Sequence, residues 1–322
     1  MTGLTIAGTG SYIPECTVSN EMMKMLVDTS DEWIKTRTGI EKRNFAGSET
    51  NLFMTAAAVR NAIENAGIDK SEICAVICAT MTGDYILPSL ASMLQHELGL
   101  DEEILAFDLN AACSGFVYAL STARSILASS ETKKYAVVSG SELLSKLLDY
   151  TDRSTCVLFG DGAGAAVVRL AEDEPFRFHS GTIGDSRTIV CAKSYPSANP
   201  FLPPEEKNTD CFVHMDGQEV FRFAVESIAK SVTSLFRDGP PDADMYILHQ
   251  ANARIISAAA KKLREPAEKF YMNIEKHGNT SAASIPIALD ELNRQNKLKR
   301  GMKIVLSGFG AGLTYGSAYF TW

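Results

Sequence analysis

The sequence predicts an α/β layered fold in which one unit is used twice. Three observations carry this. Apolar strand-like runs alternate with helical patterns along the chain. The order of elements in the first half recurs in the second. Two strands at equivalent places end alike, in Val137-Val-Ser-Gly140 and Val305-Leu-Ser-Gly308.

The elements follow in order. Helical spacing covers Asn51–Gly67, and the apolar run Ala75–Ala79 reads as a strand. A helix leads to a second strand, Ile104–Leu109, then to a small-residue turn and a helix over Gly115–Ser129. The strand Tyr135–Ser139 closes the unit. In the second half, a helical pattern over Val220–Phe236 precedes the strand Tyr246–Leu248, and a helix over Ile255–Leu263 leads to a strand over Phe270–Ile274. The turn His277–Ala283, the helix Ile285–Asn293 and the strand Lys303–Ser307 complete the repeat. This divides the chain into residues 1–171 and 172–322. Just beyond the middle of the chain, Thr188–Thr209 is rich in proline, serine and asparagine and reads as a loop. Gly160-Asp-Gly-Ala-Gly-Ala165 fits GxGxxA, but a strand follows where a dinucleotide loop needs a helix. A hairpin joining Cys156–Phe159 to Ala165–Leu170 is expected instead. Duplication would bring the loops near 113, 249 and 279 together on one face.

The chain has 322 residues and a net charge of −8, which argues against nucleic acid as the main partner. The longest apolar stretch, Ile104–Leu120, is interrupted by Asp108 and Asn110, so no membrane span is expected. The N-terminus carries no secretory signal pattern, and the seven irregularly spaced cysteines suit a reducing, cytoplasmic setting. Cys74 and Cys78 are expected on one strand face as structural thiols. Histidine and cysteine spacings support no metal site.

Three residues carry candidate chemistry. Cys113, in Ala111-Ala-Cys-Ser-Gly115, stands between a strand and a helix. The helix macrodipole would favour its thiolate there, while a lone cysteine among alanines also reads as core filler. His249 ends a strand, where α/β sheets place ligands, or is a hydrogen-bonded structural histidine. Asn279 lies in a polar turn before a helix and reads equally as a cap. Together they suit a thiol that accepts an acyl group from a thioester. Two side-chain donors would then steady the oxygen on which charge builds as a malonyl group loses carbon dioxide. The glycine-dense Gly308–Gly316 segment could supply a backbone N–H to a reacting carbonyl.

These residues resemble the β-ketoacyl-acyl carrier protein synthase III family, over essentially the whole chain. The resemblance runs from Gly8-Thr-Gly-Ser-Tyr-Ile-Pro14 and Asp28–Ile40 through Ala111–Phe116 and Phe159–Gly164. It continues through His249-Gln-Ala-Asn252 and His277–Ser284 to the final glycine loop. It implies the thiolase-like fold, two similar halves in a five-layered αβαβα arrangement, in a homodimer. It implies an acylated Cys113, with His249 and Asn279 promoting decarboxylation and condensation. An oxyanion hole from the backbone N–H groups of Cys113 and Ala311 is also implied. Ala311 stands where many relatives carry glycine. Coenzyme A would be bound by Trp33, Arg37 and Arg153, with Thr29, Phe221 and Asn252 along the pantetheine tunnel. The residue before Pro88, Leu87 here, would close the acyl pocket across the dimer. Relatives often have phenylalanine there, so longer or branched primers are expected. Arg254, Lys261 and Lys262 share one helix face, and the resemblance adds Arg222 to a patch for the acidic carrier protein. The reaction implied joins an acyl-CoA primer to malonyl-acyl carrier protein, with no cofactor beyond the coenzyme A thioester substrate. An enzyme of secondary metabolism that primes a polyketide or transfers an acyl group to a small acceptor is the alternative.

Overall fold

The computed structural model of the chain describes residues 2–184, 189–193, 211–236, 239 and 241–322. Most of the expected loop 188–209 therefore lies outside the described residues.

The first half opens with strand β1 (Gly3–Tyr12). A two-stranded ribbon, β2 (Cys16–Ser19) and β3 (Lys42–Phe45), encloses the short helices α1 (Asn20–Met23) and α2 (Asp31–Thr38). Helix α3 (Asn51–Ala66) starts where Thr50 Oγ1 accepts from Phe53 N and stops at Gly67, whose φ is 63°. Then come β4 (Ile73–Ala79), α4 (Leu90–Leu98), β5 (Leu105–Leu109), α5 (Gly115–Ala128) and β6 (Tyr135–Glu142). A single turn, α6 (Arg153–Cys156), leads into β7 (Gly162–Ala171).

The second half repeats the pattern. It begins with β8 (Phe176–Thr182), the small pair β9 (Val190–Cys191) and β10 (His214–Met215), and α7 (Gly217–Leu235). β11 (Met245–Leu248), α8 (Ala253–Leu263), α9 (Ile274–His277) and α10 (Ser284–Arg294) follow. The antiparallel strands β12 (Lys303–Gly310) and β13 (Thr314–Thr321) end the chain.

The first sheet has the order β1-β7-β6-β4-β5 and the second β8-β13-β12-β11. In both, the strand directions match: β4 runs parallel to β6, as β11 does to β12, while β7 is antiparallel to β6 and β1, as β13 is to β12 and β8. The one difference sits at the edge. Where the first sheet has β5, the second has only a parallel bridge between Tyr246 and Phe270. The strand expected over Phe270–Ile274 is therefore a single contact. Beyond it, Asn273 N donates to Gln250 Oε1 rather than to a neighbouring strand, and α9 begins at Ile274.

Side-chain burial sets the layers. Apolar faces of α5 (Phe116, Leu120) and α10 (Ile285, Leu289) lie between both sheets. Each such side chain, fully buried, is worth roughly 1.5–3 kcal/mol. Helices α3 and α4 cover the outer face of the first sheet, and α7 and α8 the outer face of the second. The result is the five-layered αβαβα arrangement. A buried carboxylate crosses the middle layer: Asp290 of α10 accepts from Thr9 Oγ1 (3.0 Å), Ser11 Oγ (2.6 Å) and Arg294 Nε (2.8 Å).

Two further expectations fail for physical reasons. The hairpin between Cys156–Phe159 and Ala165–Leu170 does not form. Gly162–Ala171 is instead a ten-residue strand whose ladder partners are β1 and β6. Cys74 and Cys78 pack into different clusters, on opposite faces of the sheet. An irregularity between Ile73 and Ala75 breaks the two-residue alternation between them.

The equal endings of β6 and β12 have a common purpose. A Cβ on Gly140 would lie 2.1 Å from the carbonyl oxygen of Ala282, and one on Gly308 would lie 3.0 Å from that of Cys113. Each half thus places a glycine near the end of a central strand, where the other half's turn rests on it.

Candidate active site

Cys113 sits in the turn Ala112–Ser114, after β5 and before α5. Ala112 is held at φ 46°, an arrangement that costs a residue with a Cβ about 1–3 kcal/mol. Asn279 and Ser281 lie in the corresponding turn before α10, where Ser281 has φ 48°. His249 follows β11, its N–H donating to Ser307 O at 2.8 Å. All three candidate side chains, with Ala311, line one chamber of about 250 Å³. Its walls are largely apolar and include Met81, Leu144, Phe159, Val220 and Phe223.

The donors are oriented by neighbours. Ser281 N donates to Asn279 Oδ1 at 2.8 Å, which leaves the Asn279 NH₂ group for the chamber. Ser284 Oγ lies 2.7 Å from His249 Nδ1 and accepts from Gln250 N at 3.3 Å. With the Ser284 hydroxyl donating to Nδ1, the ring proton lies on Nε2 and faces away from the serine. Burial drives the His249 pKa down to about 3, so the ring is neutral. Phe309 packs edge-on against it, with centroids 5.1 Å apart. Two neutral N–H donors therefore share one chamber with a sulphur.

The thiol differs from expectation. Burial pushes the Cys113 pKa up to about 12, the Glu142 carboxylate adds to the rise, and the hydrogen bond to Ser281 opposes it. A rise from 9.0 to about 12 corresponds to roughly 4 kcal/mol, against at most about 2 kcal/mol from a helix dipole. Desolvation wins, and the resting residue is a thiol. Its Sγ donates to Ser281 Oγ at 3.3 Å.

The chamber continues outward into a vestibule of about 1050 Å³. Arg37, Phe221 and Asn252 line both spaces, and Arg222 and Arg254 line the vestibule. Asn252 is fixed twice: its Nδ2 donates to Arg37 O (3.0 Å) and its Oδ1 caps α8 at Arg254 N (2.8 Å). Trp33 and Arg153 line neither space; the Arg153 guanidinium lies 4.7 Å and that of Arg37 5.8 Å from the Trp33 ring centroid. Arg153 also donates to Asp28 O at 2.6 Å, tying α6 to the segment before α2. Thr29 and Leu87 line neither space. Leu87 is 80% exposed, in an apolar run with Tyr85 and Ile86. Of the basic patch, Arg254 lies over Phe221, Arg222 pairs with Glu219 at 3.0 Å, and Lys262 pairs with Glu226. Lys261 is exposed on α8 and lines neither space.

Sequence reasoning did not single out Ser281, Ser284, Glu142 or Phe309. The two serines lie inside the quoted turn motif. Glu142 directly follows Val137–Gly140 and Ser141, a buried position where a carboxylate is itself a signal. No helix among the described residues is long and apolar enough to cross a membrane, and no metal-binding cluster occurs among them.

Comparisons with known proteins identify the family. A family profile described as 3-oxoacyl-[acyl-carrier-protein (ACP)] synthase III matches residues 107–185, and its C-terminal counterpart matches residues 239–322. A β-ketoacyl-[acyl-carrier-protein] synthase III of Clostridium botulinum is 44% identical, over 100% of this chain and 99% of its own. The crystal structure of 3-oxoacyl-[acyl-carrier-protein] synthase III from Aquifex aeolicus VF5 superposes with a TM-score of 0.90 at 40% identity, covering 99% and 100% of the two chains. The priming β-ketosynthase of the R1128 polyketide pathway superposes with a TM-score of 0.89 at 36% identity, covering 99% and 96%. The chain belongs to the β-ketoacyl-acyl carrier protein synthase III family, thiolase-fold condensing acyltransferases that initiate fatty-acid synthesis.

Proposed function

We propose that the chain joins an acyl-CoA primer to malonyl-acyl carrier protein in two half-reactions. One observation carries the reading: a thiol, an imidazole and an oriented amide line a single, largely apolar chamber that adjoins a vestibule where Arg37, Arg222 and Arg254 stand beside Asp152 and Asp216. In the first half-reaction, Cys113 Sγ attacks the thioester carbonyl and coenzyme A leaves. The backbone N–H groups of Cys113 and Ala311 hold the oxyanion. In the second, His249 Nε2 and Asn279 Nδ2 hold the malonyl thioester oxygen while carbon dioxide departs. The carbanion then attacks the acyl-cysteine. Dry walls favour loss of a charged carboxylate into neutral carbon dioxide.

Trp33, Arg37 and Arg153 suit the adenine and phosphates of coenzyme A, and Thr29, Phe221 and Asn252 suit its pantetheine arm. Arg222, Arg254, Lys261 and Lys262 suit an acidic carrier protein. The exposed Tyr85–Leu87 run suits a homodimer in which Leu87 closes the partner's acyl pocket. The protein acts in the cytoplasm. The similarity to a priming ketosynthase supports a second reading, in which the acceptor is a polyketide carrier protein.

The test uses labelled acetyl-, isobutyryl- and hexanoyl-CoA with carrier proteins of both kinds. Label is expected on the peptide containing Cys113, with comparable rates for the three primers. His249→Ala should acylate within a few-fold of the parent, yet lose about 10²–10³-fold in malonyl decarboxylation. An unlabelled Cys113 peptide, or unimpaired decarboxylation in His249→Ala, refutes the mechanism.

A further inference from the structure

Glu142 ends β6 with no exposed surface, and the chemistry above gives it no part. Its two oxygens differ. Oε2 accepts from Thr82 Oγ1 (2.5 Å), Met81 N (3.3 Å) and Thr80 Oγ1 (3.4 Å). Oε1 accepts from Ser281 Oγ at 3.3 Å. Ser281 Oγ in turn accepts from Cys113 Sγ at 3.3 Å. One turn holds Ser281 in the left-handed region, with its N–H on Asn279, so the hydroxyl bridges the two acidic groups.

We propose that Cys113, Ser281 and Glu142 form a proton relay that deprotonates the thiol as it attacks. This rests on the acyl-transfer reading above. The Cys113 proton moves to Ser281 Oγ while the Ser281 hydroxyl proton moves to Glu142 Oε1. A sulphur electron pair forms the new bond to the acyl carbon. The bond from that carbon to the coenzyme A sulphur breaks, and its electron pair leaves with that sulphur. Glu142 then returns a proton through Ser281 to the departing thiolate. Net, the proton passes from Cys113 to coenzyme A, and Glu142 is unchanged. Glu142 acts through Ser281 and does not touch substrate.

The surroundings suit one shared negative charge. Burial raises Glu142 to about 7, within reach of neutral pH, while a thiolate beside an ionised Glu142 is opposed. The nearby charged groups are otherwise engaged. Lys146 Nζ is spent on the carbonyls of Thr82 (2.7 Å) and Gly83 (3.0 Å). Asp84 caps α3 at Asn51 N and Leu52 N. Asp161 accepts from Ser145 N and Oγ. His249, across the chamber, is neutral.

The test follows Cys113 modification in single turnovers between pH 5 and 10, with an acyl-CoA and separately with iodoacetamide. In the parent, both rates are expected to bend near pH 7. Glu142→Gln and Ser281→Ala should lose the bend. At pH 7.5 they should acylate about 10²-fold more slowly and alkylate about tenfold more slowly. Glu142→Asp, which keeps a carboxylate, should recover part of the rate. If Glu142 acted only as a like charge, its removal would favour the thiolate. Glu142→Gln alkylating at or above the parent rate therefore overturns the relay. A parent profile without a bend near pH 7 overturns it too, whatever the variants' folding. Iodoacetamide needs no acyl-CoA. An alkylation pattern as expected, with no acylation by any acyl-CoA, would remove the functional reading and leave the relay standing.

Discussion

The turns Ala112–Gly115 and Ser281–Ser284 occupy equivalent places in the two halves, and they have diverged in opposite directions. Both begin with a residue in the left-handed region, pass through a short helical turn and enter a middle-layer helix. Cys113 then corresponds to Ala282, and Gly115 to Ser284. The strand registers extend the comparison: Ala79 pairs with Gly140, and His249 follows β11 in the register that sets it opposite Gly308. In the first half, a Cβ on Gly115 would lie 2.9 Å from that of Ala79. In the second, the same two places hold Ser284 and His249, joined by a hydrogen bond. One half carries the candidate thiol over a featureless support. The other has alanine at the thiol's place and an oriented imidazole at the support's. Two similar frames thus face each other with different side chains at matching positions.

The comparison can be broken most severely at its contact points. Gly140→Ala should destabilise the protein by about 2–3 kcal/mol, because its Cβ meets backbone at 2.1 Å. Gly308→Ala, at 3.0 Å, should cost less. Denaturant midpoints for the two variants check this, and equal values would remove the asymmetry.

Stability against pH sharpens it next. His249 has its pKa lowered to about 3, so the unfolded chain takes up a proton that the native state refuses. Its contribution is complete above pH ~6.5 and is lost as pH falls below that, at up to about 1.4 kcal/mol per pH unit. Glu142, raised to about 7, has the opposite sign. The native state keeps a proton that the unfolded chain releases above pH ~4.5, so stability falls as pH rises toward 7. Between these limits the two slopes oppose each other. Removing one should expose the other: Glu142→Gln should gain stability steeply from pH 5 to 6.5, and His249→Asn should lose it. Urea unfolding at both pH values decides, and parallel profiles would contradict the assignment.

The smallest expected effect is at Ser284. Ser284→Ala removes the partner of Nδ1, worth about 1 kcal/mol, and should slow malonyl decarboxylation about fivefold. Acylation should not change, because Ser284 touches only the second half's machinery. A steady-state split between the two half-reactions measures this.

Much of the site was legible before folding, for a local reason. Cys113, His249 and Asn279 each lie where a strand gives way to a turn, and such breaks are written in small and polar residues. What failed depended on neighbours in space. The strand over Phe270–Ile274 lost its ladder to Gln250 and to α9. The expected hairpin became β7 because β1 and β6 offered it two partners.

Taken alone, the amino-acid order determined the alternation of strands and helices, the repeated unit and the three candidate residues. Apolar periodicity and turn composition act over a few residues, so they survive in one dimension. Tertiary structure decided the state of those residues. Desolvation keeps Cys113 protonated and His249 neutral, and it overrules the helix dipole that the sequence order brings to mind. It also set Glu142, 139 positions from Ser281 in sequence, within one hydrogen bond of it. Burial and contact across halves arise only once the chain has closed on itself, and they fix which proton can move.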